Sequence, residues 1–246
     1  MIKLLQHLGL YFSMMKKVIS KPEKWSVFRK QLVLEMEKVG INSVSLVIIL
    51  SFFVGAVVSI QTAFNMDSPL LPSYLVGLAS RDSLILEFSP TMISLILAGK
   101  VGSSIASEIG SMRVSEQIDA LEIMGINSAS FLILPKIIAT IFFFPFLIIM
   151  SMGIGMIGAW AGGLSADVTT ADFMYGLKYE FNSFYITYAM IKTIFFAFII
   201  SSVSAYFGYH TKGGAIAVGK AGTSAVVTSS ILILLFNYIL TNLILS

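Results

Sequence analysis

Residues Gly99–Gly125 read GKVGSSIASEIGSMRVSEQIDALEIMG. The first half is rich in small residues. The second half sets Glu108, Glu116, Asp119 and Glu122 against Arg113. Long apolar runs flank this polar, helix-like segment on both sides. It therefore reads as a connection between two membrane spans, placed where a soluble partner can reach it.

Working outward, hydrophobic residues make up 57% of the 246 and charged residues 12%, against roughly a quarter charged in soluble domains. A bilayer crossing takes about 20 mainly apolar residues. Five stretches qualify: about 42–65, 88–107, 131–163, 184–207 and 221–245. The third exceeds one crossing and can tilt or run past the interface. The runs are continuous and do not alternate, which specifies helices rather than barrel strands. The expected fold is an all-α integral membrane protein, a single membrane domain over residues 1–246.

Cysteine is absent, which excludes disulfides and thiolate chemistry. Near the N-terminus, Gln6 and His7 interrupt the apolar part and no small-residue cleavage site follows, so the segment is not read as a signal peptide. Leu4, Leu8, Phe12 and Met15 recur at helical spacing, and Trp25, Phe28, Leu32, Met36 and Val39 continue the pattern. With their neighbouring lysines these residues predict an interfacial amphipathic region over 1–40 that leads into the first span.

Orientation follows from the positive charges in the connections. Lys3, Lys16, Lys17, Lys21, Lys24, Arg29, Lys30 and Lys38 precede the first span. Lys100, Arg113 and Lys136 flank or occupy the connection after span two, and Lys212 and Lys220 follow span four. The other side holds Arg81 and Lys178 among Asp67, Asp82, Glu87, Asp167, Asp172 and Glu180. This places the N-terminus in the cytoplasm and, after five crossings, the C-terminus outside. A net charge of +3 calls for no nucleic-acid partner.

In the cytoplasmic connection Val114, Ile118 and Leu121 form an apolar stripe. Ser115 is the expected N-cap, Glu116 lies in the favourable first turn, and Gly125 is the expected stop. The predicted element is a helix over 108–125. A helix lying on anionic lipid would be basic; this one is acidic and suits a protein surface. Ala98, Gly102, Ala106 and Gly110 in span two, and Gly153, Gly155, Gly158, Gly162 and Gly163 in span three, permit close helix packing.

Ionisable groups inside spans are costly and mark function by default. Lys192 lies roughly 12 Å into span four at about 1.5 Å per residue, and Glu87 sits at the outer start of span two. Two readings stand: the residues pair with each other, or they hold a zwitterionic head group. Lys100 is placed to snorkel toward the cytoplasmic end. Gly214–Ala221, GAIAVGKA, satisfies G-x-x-x-x-G-K but has Ala221 where Mg²⁺ needs a hydroxyl, and no strand precedes it. His7 and His210 are the only histidines and form no hydrolytic set.

Glu87-x-x-Pro90, LAGKVGSSIASEIGSMRVSEQIDALEIMGIN at Leu97–Asn127 and GYHTKGGAIAVGKAGTSAVV at Gly208–Val227 closely resemble the MlaE/YrbE-type permeases. These are the membrane subunits of ABC transporters that work with MCE-domain proteins. The resemblance implies a homodimer in the bacterial inner membrane, each subunit with an interfacial N-terminal helix and five membrane helices. It implies that 108–125 is a coupling helix in the groove of an ATPase subunit, with Arg113, Glu116, Asp119 and Glu122 as contacts. ATP and Mg²⁺ would belong to that ATPase; this chain would bind no cofactor and be a transport subunit rather than an enzyme. A hexameric MCE protein would sit on the periplasmic side. Phospholipid would occupy an outward-facing cavity lined by helices one, two and five, with Glu87 and Lys192 as candidate contacts, on its way between inner and outer membranes.

Several positions depart from the family pattern. Phe88-Ser89-Pro90 stands for Leu-Gly-Pro, Gly99-Lys100 for Gly-Arg, Ser128 for Pro and Asn237 for Asp. The alternative function is a stand-alone ion-coupled transporter or channel using Glu87 and Lys192. No inverted repeat with paired broken spans supports it.

Overall fold

The computed structural model describes residues 2–19, 25–66, 68 and 71–245. Lys21, Lys24 and Asp67 of the charge count fall outside these residues, as do the side chains of Lys3 and Leu4. Every regular element among the described residues is a helix. Five are long and apolar enough to cross a membrane: Trp25–Asn65, Tyr74–Val114, Ser128–Ser165, Phe184–Tyr209 and Ala215–Ile244. Each contains an expected span or nearly all of it.

The region expected as one interfacial helix over 1–40 is divided differently. Helix α1 (Ile2–Val18) stands apart, while α2 (Trp25–Met36) runs through a π-helical turn, Glu37–Ile41, into α3 (Asn42–Asn65). The first long helix therefore begins well before the apolar run. The second consists of α4 (Tyr74–Ser83), a π-helical stretch Leu84–Met92, α5 (Ile93–Leu97), a second π-helical turn Ala98–Gly102 and α6 (Ser103–Val114). After α7 (Gln117–Ile123) come α8 (Ser128–Ser165), α9 (Thr170–Lys178), α10 (Phe184–Tyr209) and α11 (Ala215–Leu245). At about 1.5 Å per residue α8 far exceeds a hydrocarbon core of about 30 Å.

The contacts divide the chain into two compact units: Met1–Asn42, Leu95–Phe143 and Phe195–Phe236 form one, and Ser43–Ser94, Phe144–Ile194 and Asn237–Ser246 the other. In the second unit α3 and α8 meet backbone to backbone. A Cβ on Gly158 would lie 2.0 Å from the Phe52 carbonyl oxygen, and one on Gly162 2.3 Å from that of Ala56. Side chains are excluded there, so these glycines of span three pack within the subunit, as close helix approach in lipid requires. The Ser51 hydroxyl donates to that of Ser151 across the same seam, at 2.8 Å.

Helix α9 was not expected, yet Thr169 caps it: its hydroxyl accepts from the Asp172 N–H at 3.2 Å. Phe173 is buried beside Val76, Leu84, Ala159 and Val168. Arg81, 2% exposed, donates to the carbonyls of Leu177 and Tyr179 at 3.0 and 2.7 Å. It also pairs with Asp82. An arginine at the carbonyl end of a helix satisfies otherwise orphaned acceptors.

In the first unit α1 buries Met14, Met15 and Val18 against the protein. His7 Nδ1 lies 2.7 Å from the Tyr206 hydroxyl, and the Tyr11 hydroxyl donates to Ser202 at 2.9 Å. Leu8 and Phe12, on the expected stripe, are exposed. The helix thus has a protein-facing side and an apolar outward side, the latter suited to an interface.

Candidate functional site

Pro90 has no N–H, and its ring crowds the carbonyl four residues back, so it disturbs any α-helix interior. Here it lies within the π-helical stretch Leu84–Met92. The Leu86 carbonyl, which Pro90 cannot serve, lies 3.3 Å from the Lys192 ammonium. That ammonium also pairs with Glu87 Oε1 at 2.6 Å and sits 4.4 Å from the Tyr188 ring centroid, a cation–π contact. Lys192 is wholly buried, whereas the Glu87 side chain is 42% exposed.

Hydroxyl and amide groups complete the cluster. Glu87 Oε2 accepts from Asn237 Nδ2 at 3.0 Å and from the Thr91 hydroxyl at 3.1 Å. Thr91 also reaches Asn237 Oδ1 at 3.0 Å. Thr241 lies 3.3 Å from Glu87 Oε1, 2.7 Å from the Asn237 carbonyl and 2.8 Å from the Tyr188 hydroxyl. Three membrane-length helices thus surround one buried ammonium and one half-open carboxylate. Burial of a charge is tolerable only with such pairing and hydrogen bonding.

The connection after span two differs from the single helix expected over 108–125. Helix α6 ends at Val114, and Glu116 takes a left-handed backbone, φ 60°, before α7 begins. Glu116 rather than Ser115 precedes the new helix, because the Ser115 hydroxyl is used backward on the Ser111 carbonyl at 2.8 Å. The expected stop holds: Gly125 has φ 78°, its N–H bonds Glu122, and Ile126 N–H bonds Leu121. Ile118 of the apolar stripe is fully buried.

Apart from Glu116, the charged residues of this connection are engaged within the chain. Arg113 pairs with Asp119 at 2.6 Å and lies over the Tyr209 ring. Glu122 Oε1 accepts from Ser128 and Tyr209, both at 2.9 Å. The Ser128 hydroxyl holds the Glu122 carboxyl below its usual range, with Tyr209 the next cause. Glu116 is exposed, and beyond it Ile123 and Met124 are 87% and 65% exposed. The outer face is therefore an apolar tip with an acidic shoulder, rather than four free charges. In the same unit the buried Lys136 bridges Glu35 and Glu108 at 2.7 Å each, and Lys38 joins Glu108 at 2.9 Å. Lys100 reaches the Asn42 carbonyl.

The family model for Permease MlaE matches residues 32–243. The chain belongs to the MlaE permease family. This permease is 36% identical, over 98% of its own length and 93% of the relative's, to a Probable ABC transporter permease protein of Rickettsia bellii. It is 32% identical to a Probable ABC transporter permease protein of Synechocystis, over 86% and 81% of the two chains. It is 30% identical to the chloroplastic Protein TRIGALACTOSYLDIACYLGLYCEROL 1 of Arabidopsis thaliana, over 92% and 65%. It is accordingly a multi-pass membrane protein and an ABC transporter permease subunit, whose ATPase is a separate partner.

The structure brings Glu87 and Lys192 together, in agreement with the first of the two sequence readings. It adds Thr91, Tyr188, Asn237 and Thr241, which sequence reasoning missed as site members. Of the ATPase-facing set it leaves Glu116 outward and turns Arg113 and Asp119 onto each other. Two family departures acquire roles. Ser128 clamps Glu122, and Asn237 donates to Glu87.

Proposed function

We propose that this permease moves phospholipids between the inner and outer membranes as a homodimer. Its partners would be an ATPase that carries ATP and Mg²⁺ on the cytoplasmic side and a hexameric MCE-domain protein in the periplasm. The N-terminus would be cytoplasmic and the C-terminus periplasmic. One observation carries the coupling half of this reading: α7 presents Glu116, Ile123 and Met124 outward while Ile118 anchors it inward. Exposed apolar side chains with a polar margin are the usual form of an interface core.

The clamps give the tip mechanical purchase. Arg113–Asp119 ties α7 to α6, and Glu122 ties it to Ser128 on α8 and Tyr209 on α10. A displacement of α7 by a closing ATPase would therefore pull on three spans together instead of bending a loop. The lipid half rests on the Glu87 cluster, a polar site on the second, fourth and fifth spans, and on the Arabidopsis relative, whose name contains that of a galactolipid. Glu87 is the member open to cargo, and Lys192 acts by holding it.

Co-purification with the ATPase tests the reading. Ile123→Asp with Met124→Asp, and separately Glu116→Lys with Asp119→Lys, are expected to abolish capture of the ATPase and lipid transport. Intact capture and transport in both variants would refute the coupling role.

A further inference from the structure

The hydrogen-bond inventory of the Glu87 cluster is unbalanced, and the imbalance lies at its open end. Thr91 has one proton and two acceptors, Glu87 Oε2 and Asn237 Oδ1, at 3.1 and 3.0 Å. Thr241 likewise has one proton, and the Asn237 carbonyl at 2.7 Å is much closer than Glu87 Oε1 at 3.3 Å. The donors committed to Glu87 are thus Lys192 on Oε1 and Asn237 on Oε2, with the Thr91 proton shared between Glu87 and Asn237. A carboxylate offers about four acceptor positions, so among the described residues part of its capacity lacks a committed donor, and the Glu87 side chain is 42% exposed. Lys192 is wholly buried, its N–H groups spent on Glu87 and Leu86 beside the Tyr188 ring, and so offers no donor to that side.

We infer that the Glu87 site selects lipids whose head group carries a hydrogen-bond-donating primary ammonium. Anionic head groups and the fully methylated choline cation are disfavoured by the same geometry. An anion meets an exposed carboxylate whose ammonium partner is already spent, and choline brings charge without an N–H to fill the open positions. Asn237 tunes the site, because it spends one amide N–H on Glu87 and adds no charge. The inference rests on the lipid-transport reading above and narrows it to one head-group chemistry.

The test is mass spectrometry of lipids retained by the full chain, purified with its ATPase from vesicles of equal phosphatidylethanolamine, phosphatidylcholine and phosphatidylglycerol. The ethanolamine lipid is expected to be enriched about fivefold over each of the others, the weight of one charged contact in a partly hydrated site. Glu87→Gln is expected to remove the enrichment, and Asn237→Asp, nearly isosteric, to increase it. Free ethanolamine at millimolar concentration is expected to leave the enrichment in place, since the acyl chains supply most of the retention. Retained lipid that mirrors the vesicle composition would overturn the inference, as would choline lipid retained equally or enrichment that survives Glu87→Gln. If no lipid is retained and none is transported, the lipid-transport reading itself fails.

Discussion

Replacing Lys192 with methionine, similar in length but apolar, strips Glu87 of its ion-pair partner. Removing one member of a buried pair costs about 3–5 kcal/mol. The Glu87 side chain is 42% exposed, so water takes over part of the lost attraction and the cost is expected near the lower end, about 3 kcal/mol. The contacts to the Leu86 carbonyl and the Tyr188 ring disappear as well. Adding Glu87→Gln removes the orphaned charge while keeping an acceptor for Asn237. The double variant is therefore expected to be more stable than the Lys192→Met single, with a coupling energy of at least about 1 kcal/mol. Detergent-solubilised protein titrated with SDS and followed by circular dichroism gives all four corners of the cycle. A single variant within about 0.5 kcal/mol of the parent, or strictly additive effects, would refute the reasoning.

Lys136→Met is expected to cost about 3 kcal/mol or more, because it orphans both Glu35 and Glu108; the same titration reads it, and a neutral result contradicts the network. Gly158→Ala places a Cβ 2.0 Å from the Phe52 carbonyl and is expected to lower stability by about 1–3 kcal/mol. Gly153→Ala, in open space, is expected to raise it by up to about 1 kcal/mol through helix propensity. Glu122 has a depressed folded pKa, caused first by Ser128 and then by Tyr209. Its contribution is present above the ordinary carboxylate value and lost as pH falls through the folded one. The stability difference between parent and Glu122→Gln is thus expected to be largest at neutral pH and to vanish in acid. A difference that grows in acid contradicts the clamp.

Apolar runs of sufficient length made the spans legible, and opposite charges near one level of two spans marked Glu87 and Lys192 as candidates either to pair or to hold a head group. Their surroundings were not legible. Thr91, Tyr188 and Thr241 look like any hydroxyls in membrane helices, which more often bond their own backbone, as Thr193 and Ser201 do. Asn237 lies 150 residues from its acceptor, and no local pattern reports such a pairing. Lys136 read as an edge charge because its partners, Glu35 and Glu108, stand on other helices. The break at Glu116 escaped periodicity because Val114, Ile118 and Leu121 keep helical spacing across a left-handed residue. Helix α9 did leave a signal, Thr169 three residues before Asp172, but its few apolar residues fell below the length sought for a span. The G-x-x-x-x-G-K stretch is helical from Ala215 onward, which leaves no loop of backbone amides to cradle a phosphate.

The chain has no cysteine, so a single Ile123→Cys substitution gives a clean probe of the transmission point. In intact cells this thiol is expected to resist a membrane-impermeant maleimide until the inner membrane is opened. Once opened, it should label freely without the ATPase and be protected when the ATPase is co-expressed. Labelling from the periplasmic side, or equal labelling with and without the ATPase, would contradict the account.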